Sequence, residues 1–178
     1  MKVIKSMLNG CLLLEPKLFT DSRGSFHEAY NQKVFESILG YKHEFVQDNV
    51  SCSKKSVLRG MHFQENHPQG KLVRVTEGKV FDVALDLRKN SSSFGKWDSV
   101  VLSSENNRQF WIPEGFAHGF LVLSEIAIFE YKCTKFYNPN DEVTLIWNDP
   151  DLAIDWPTSN PIISEKDARG ISFSGFIK

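Results

Sequence analysis

The sequence predicts an all-β fold of the sandwich or barrel kind, and three observations predict it. Short runs with period-two alternation recur along the chain, bounded by Gly, Pro, Asn and Asp turn signals. One segment alone carries convincing helical spacing. Aromatic content is high, with 14 Phe and 4 Trp in 178 residues, as a core between two sheets requires.

The elements follow in order. Residues 31–40 (NQKVFESILG) place Phe35, Ile38 and Leu39 on one helical face, and Gly40 is suited to end that helix. Residues 71–76 alternate as a strand, Glu77-Gly78 reads as a hairpin turn, and residues 80–87 alternate again with Asp82 and Asp86 on one face. Further strands are expected at 97–102, 108–112, 119–123, 127–134 and 142–147. There is no internal repeat, low-complexity tract or Gly/Ser linker, so residues 1–178 are expected to form a single domain.

Composition excludes several function classes. Folding should leave about 9,000 Å² of the roughly 30,000 Å² exposed by the unfolded chain, enough burial for a core without disulfides or a structural metal. Lys+Arg 21 against Asp+Glu 22 gives a formal net charge of −1, which argues against nucleic acid as a partner but permits a local basic pocket. Cys11, Cys52 and Cys133 are odd in number and widely spaced, and no Cys/His ligand cluster accompanies them. The apolar run from Cys11 to Leu14 is too short for a signal-peptide core, and no stretch is long enough to span a membrane. The expected compartment is the cytoplasm.

Several segments are more polar than a strand core needs: DSRGSFHE at 21–28, QDNVS at 47–51, VLRGMHFQ at 57–64, QGKLVRV at 69–75 and IPEGFAHG at 112–119. Each has a plain alternative. The 21–24 segment is also a good turn, Lys71 and Arg74 also suit exposed strand positions, and His62 or His118 would also serve as hydrogen-bonded structural residues. The spacing Pro113-Glu-Gly115-Phe-Ala-His118 is similar to the second motif of cupins, small jelly-roll barrels. Metal-binding cupins pair it with an upstream His-x-His; here His62 is followed by Gln64, so the ligand set is incomplete and neither a metal nor another cofactor is expected. A barrel with ionisable groups inside and no metal points to acid/base chemistry or sugar binding.

Taken together, DSRGSFHEAY, FVQDNVS, VLRGMHFQ, QGKLVRVTEGKVFDVALDLRKNS, FGKW, WIPEGFAHGFLVLSE, YNPNDE, WNDPDLAIDWP and ISEKD occur in an order that resembles the dTDP-4-dehydrorhamnose 3,5-epimerase family of nucleotide-sugar enzymes. The resemblance covers about residues 19–167, and 171–178 lie outside it. Departures are small, with Ser56 where Gly is common and Met61 where Leu is usual. The fold it implies is a cupin-type double-stranded β-helix, or jelly roll, with a few short helices.

The implied substrate is a dTDP-4-keto-6-deoxyhexose whose C3 and C5 are both inverted. A C4 ketone acidifies the hydrogens on each neighbouring carbon, because either carbanion delocalises onto oxygen as an enolate. The enzyme then needs a base on one face, a proton donor on the other and positive charge near the C4 oxygen. By the resemblance His62 is the base, held in its useful tautomer by Asp167. Asp167 also fits a helix start, since Ser164-Glu-Lys-Asp167 is an S-x-x-D pattern, and the two roles are compatible. Tyr131, otherwise a plain strand aromatic, is the implied acid, and Lys71 the implied enolate stabiliser. His118 would contact the sugar.

The implied nucleotide-binding positions are Arg23, Glu28, Gln47, Asp48, Asn49, Arg59, Glu142 and Lys166, with Phe26 and Tyr137 near the base and Tyr137 stacking on the thymine. The family resemblance also implies a homodimer with the N-terminal part reaching toward the second subunit. Two other epimerase-fold readings are a single-centre epimerase of a related 4-keto sugar and a non-catalytic nucleotide-sugar-binding cupin. A metal-dependent cupin oxygenase is a third, already disfavoured by Gln64.

Overall fold

The computed structural model describes residues 1–6 and 8–178. The chain begins with strands β1 (Lys2–Ser6) and β2 (Leu12–Glu15), then the small hairpin β3 (Phe19–Asp21) and β4 (Gly24–Phe26). Helix α1 (Gln32–Leu39) follows, and then β5 (Gln47–Lys54), β6 (Leu58–Gln64), β7 (Lys71–Glu77) and β8 (Lys79–Asp86). Strands β9 (Trp97–Ser103), β10 (Gln109–Ile112), β11 (Phe116–Val122), β12 (Ile126–Cys133) and β13 (Glu142–Thr144) complete the sheets, before short helices α2 (Glu165–Ala168) and α3 (Phe173–Phe176).

Two antiparallel sheets form the jelly roll that the sequence leads one to expect. One has the order β1-β2-β10-β7-β12-β5 and the other β13-β6-β11-β8-β9, so from β5 onward consecutive strands alternate between sheets, except β8 and β9, which pair with each other. Alternation along each strand sends one row of side chains between the sheets. That inner row includes Val73 and Val75 of β7, Val80 and Ala84 of β8, Phe110 of β10, Phe120 of β11 and Phe129 of β12. At one end of this core the apolar residues give way to polar ones, and the sandwich opens there.

Both outer faces are covered. Helix α1 begins at Asn31, whose side chain accepts from Val34 N, and ends at Gly40, which takes a left-handed φ of 78°. It buries Phe35 against Leu14, Leu72 and Trp111 on the outside of the six-stranded sheet. On the other sheet, residues after β13 cover Leu58, Met61, Val83 and Leu85 with Leu152, Trp156, Ile163 and Phe176. Trp97 Nε1 donates to Leu152 O at 2.9 Å and Trp156 Nε1 to Trp147 O at 2.8 Å, so burying these indoles leaves neither donor unpaired. This C-terminal cover matters for the site because it delivers Asp167.

The strand expected at 142–147 is shorter in the structure, ending at Thr144. Beyond it Leu145 makes an isolated parallel bridge to Ile171, and the chain leaves the ladder to form the cover. Ser56 has a φ of 65°, a conformation that glycine adopts at no steric cost.

Candidate active site

The open end of the sandwich is a cleft of about 410 Å³, lined from both sheets. His62 on β6 and His118 on β11 come from the five-stranded sheet; Asn49 on β5, Lys71 on β7 and Tyr131 on β12 come from the six-stranded one. A ligand between the sheets is therefore flanked by His62 on one side and Tyr131 on the other.

Strand β6 needs a local defect to do this. Arg59 and His62 are three residues apart, and simple alternation would put them on opposite faces. They both line the cleft because β6 carries one extra residue: His118 pairs with His62 but Phe120 pairs with Arg59. The bulge centres on Gly60, with a φ of 125°, packed directly against Gly119. A Cβ on Gly60 would lie 2.5 Å from Gly119 Cα and 2.8 Å from His118 O, so neither a side chain nor that φ is tolerable there for another residue.

His62 Nε2 lies 2.6 Å from Asp167 Oδ1. The carboxylate accepts the Nε2 proton, so Nδ1, 3.9 Å from Glu142 Oε1, is left as the basic nitrogen. Burial works against the Asp167 charge, but the hydrogen bonds it accepts, from His62 foremost, hold its carboxyl below the usual range. Ser164 caps α2 by accepting from Asp167 N at 3.1 Å, so the backbone of Asp167 completes the cap while its side chain orients the imidazole.

Across the cleft, burial pushes the Tyr131 phenol up to about 12, so it stays protonated at neutral pH and can donate. Lys71, on the strand next to Tyr131, is buried, and burial presses its amine below the ordinary value while Cys133, Glu142 and Asp82 pull the other way. Below these groups Phe120 and Phe129 stack across the two sheets with centroids 4.1 Å apart, giving the cleft a rigid apolar floor.

His118 is held by Asp82, whose carboxylate oxygens lie 2.9 and 3.1 Å from Nε2. Asp82 is fully buried; burial raises its carboxyl, with His118 and Lys71 opposing. His118 was expected at the site, but its buried partner Asp82 was not. Its signal was present, however: an acid on the inward face of β8, in register with Val80 and Ala84, requires a buried partner.

The nucleotide-binding candidates divide into two groups. Gln47, Asn49, Arg59, Tyr137 and Glu142 line the cleft. Lys166 reaches its rim by pairing with Glu142, which also accepts from Tyr137 OH at 2.7 Å. Burial acts against the Glu142 charge, yet those bonds hold its carboxyl below the usual range, while the same bond to Glu142 pushes the Tyr137 phenol up to about 12. Asp48 points to the opposite side of β5 and pairs with Lys132 at 2.9 Å. Arg23 and Phe26 stand on the β3–β4 hairpin, away from this cleft, with Arg23 paired to Asp21 and Phe26 70% exposed. Glu28, just after the hairpin, accepts from Asn31 Nδ2 at 3.1 Å.

The position where metal cupins carry their second histidine is Gln64, and its amide bonds the backbone of two loops, at His67 between β6 and β7 and at Asn138 between β12 and β13. Among the described residues no group of three or more His, Cys, Asp or Glu is arranged to hold a metal ion.

Comparison with known proteins agrees with the geometry. Residues 5–174 match the family model described as dTDP-4-dehydrorhamnose 3,5-epimerase. The chain is 55% identical over 180 residues to the protein of that name from Escherichia coli K12, covering 100% of this chain and 97% of the relative. The crystal structure of dTDP-4-dehydrorhamnose 3,5-epimerase from Elizabethkingia anophelis superposes with a TM-score of 0.94 at 50% identity, over 98% of this chain and 97% of that one. A dTDP-6-deoxy-D-glucose-3,5-epimerase from Legionella pneumophila, in complex with dTDP-4-keto-L-rhamnose, gives 0.93 at 50% identity, over 96% and 92%. With a family-model match over residues 5–174 and 55% identity along the whole chain, this chain belongs to the dTDP-4-dehydrorhamnose 3,5-epimerase family.

Proposed function

We propose that residues 1–178 act as one epimerase domain that converts dTDP-4-dehydro-6-deoxy-D-glucose to dTDP-4-dehydro-L-rhamnose, with His62 as base and Tyr131 as acid. The observation that carries the assignment of roles is their placement on facing sheets, one with a carboxylate-held basic nitrogen and the other with a phenol kept protonated. His62 Nδ1 takes the proton from the carbon next to the ketone, and the electron pair moves onto the C4 oxygen. Lys71, buried beside Tyr131, supplies positive charge to that enolate oxygen. Tyr131 then returns a proton to the opposite face; water in the open cleft takes the proton from His62 and restores that of Tyr131, and repetition at the second carbon completes the double inversion. His118, fixed by Asp82, contacts the sugar, while Arg59, Gln47, Asn49 and Tyr137 hold the nucleotide.

The same reading includes a homodimer. Arg23, Phe26 and Glu28 have no place in the cleft of their own chain, yet the hairpin carries two exposed rings, Phe19 and Phe26. A second copy can receive that hairpin at its cleft, so these residues serve the partner's nucleotide. A cytoplasmic setting suits the three free cysteines, two of them buried as thiols.

The deciding experiment is proton NMR of dTDP-4-keto-6-deoxy-D-glucose incubated with the protein in D₂O, coupled to a 4-keto reductase. Deuterium at both C3 and C5 with a reducible L-sugar product is the expected outcome. Deuterium at one carbon alone would mark a single-centre epimerase, and none would mark a different sugar or a binding protein.

A further inference from the structure

Tyr137 stands at the cleft mouth on the loop between β12 and β13, and a loop is a poor platform unless its backbone is fixed. Here three consecutive residues are fixed from both sheets. Gln64, on β6 of the five-stranded sheet, accepts from Asn138 N at 2.8 Å and donates to Phe136 O at 3.3 Å, and its second amide hydrogen goes to His67 O at 2.8 Å. Gln47, on β5 of the six-stranded sheet, accepts from Tyr137 N at 2.8 Å. Gln64 is only 4% exposed, and both its amide hydrogens and its oxygen are engaged. The residues on either side of Tyr137 are thus tied to one sheet and Tyr137 itself to the other.

We propose that Gln64 is a positioning residue for nucleotide recognition: it acts through the backbone of residues 136–138 to hold the Tyr137 ring in place as the surface on which the base stacks. This rests on the reading of Tyr137 as the base platform. Gln64 occupies the strand position that a metal cupin gives to a ligand, two residues beyond His62, and here the amide serves the loop instead. Its loss is expected to loosen the ring and weaken nucleotide binding, while the proton-transfer groups on β6, β7 and β12 keep their places.

The test is calorimetric titration of dTDP into the full chain and into Gln64→Leu, Tyr137→Ala and the double variant, with kcat and KM measured for each. Tyr137→Ala should weaken dTDP binding by about tenfold, the scale of one lost base–aromatic stack. Gln64→Leu should raise KM and the dTDP dissociation constant several-fold with kcat within about twofold of wild type, and the double variant should bind no more weakly than Tyr137→Ala. Additive losses in the double variant, or a kcat loss at unchanged KM, would overturn the assignment. Normal binding by Gln64→Leu alongside weak binding by Tyr137→Ala overturns the role of Gln64 alone. Normal binding by Tyr137→Ala overturns the platform and the inference with it.

Should Gln64→Leu fail to fold, Gln64→Glu preserves the shape. Its ionised carboxylate would face the His67 and Phe136 carbonyl oxygens without a hydrogen to donate. The expected KM increase should then shrink as pH falls toward the carboxyl range and one donor returns. A pH-independent KM in Gln64→Glu, equal to wild type, would count against the proposal.

Discussion

The Nε2 of His62 and the Oδ1 of Asp167 meet at 2.6 Å although 105 residues separate them in the chain. The strand that carries the histidine and the C-terminal cover that carries the carboxylate are brought together by packing on the outer face of the five-stranded sheet. Asp167→Asn keeps the size of the side chain but not its charge. It should lower kcat by about 10²- to 10⁴-fold, because the amide no longer stabilises the imidazolium formed when His62 takes the proton. Steady-state turnover with unchanged dTDP affinity checks this.

The two faces of the cleft should fail differently. His62→Ala should abolish solvent exchange at both C3 and C5. Tyr131→Phe should slow product formation by about 10²-fold or more while deuterium exchange next to the ketone persists, since abstraction survives and delivery from the opposite face does not. NMR in D₂O separates the two outcomes, and near-normal turnover by His62→Ala would remove the proposed base.

Gly60→Ala should cost at least about 3 kcal/mol of stability, combining a forbidden φ with a clash against backbone. Thermal unfolding would measure it. Any folded fraction should show impaired turnover and nucleotide binding together, because the bulge at Gly60 is what sends both Arg59 and His62 into the cleft.

Acid stability should depend on Asp86, far from the chemistry. Burial alone would raise its carboxyl, but bonds from Arg88, Ser91 and Ser93 reverse this and bring it to about 2, against an ordinary 3.8. A carboxyl depressed in the folded state stabilises fully above its unfolded value and loses that contribution as pH falls through the folded one. Asp86→Asn should therefore flatten the fall in stability between about pH 4 and pH 2 and lower stability at pH 7 by roughly 2 kcal/mol. Urea unfolding across that pH range would show an unaltered slope if the pairing did nothing.

A chelation experiment complements these. With Gln64 bonded to backbone where a ligand would stand, EDTA treatment should leave turnover intact; a loss restored by a divalent ion would reverse this expectation.

Local pattern alone determined much of this protein. The alternation in β7, β8, β10 and β12, the Asn31 cap and the Gly40 stop of α1, and the Ser164 cap before Asp167 all depend on nearest neighbours, and all are visible as residue spacing. Strand β5 left no such trace. Its inward row, Gln47, Asn49, Ser51 and Ser53, faces the cleft or its wall and its alternate residues, Asp48, Val50, Cys52 and Lys54, are exposed, so neither face needs apolar residues. Strand β6 hid itself differently, since the extra residue at Gly60 breaks the period of two that marks a strand.

What only the tertiary structure decided is which polar residues meet. The pairing of Asp82 with His118, the junction of His62 with Asp167, and the clamping of Tyr137 by glutamines of opposite sheets each join positions dozens of residues apart. Hydrophobic periodicity reports whether a side chain faces inward, not which inward-facing group of another strand it will find. Sheet order and register supply that second coordinate, and they arise only when the two sheets and their covers pack together.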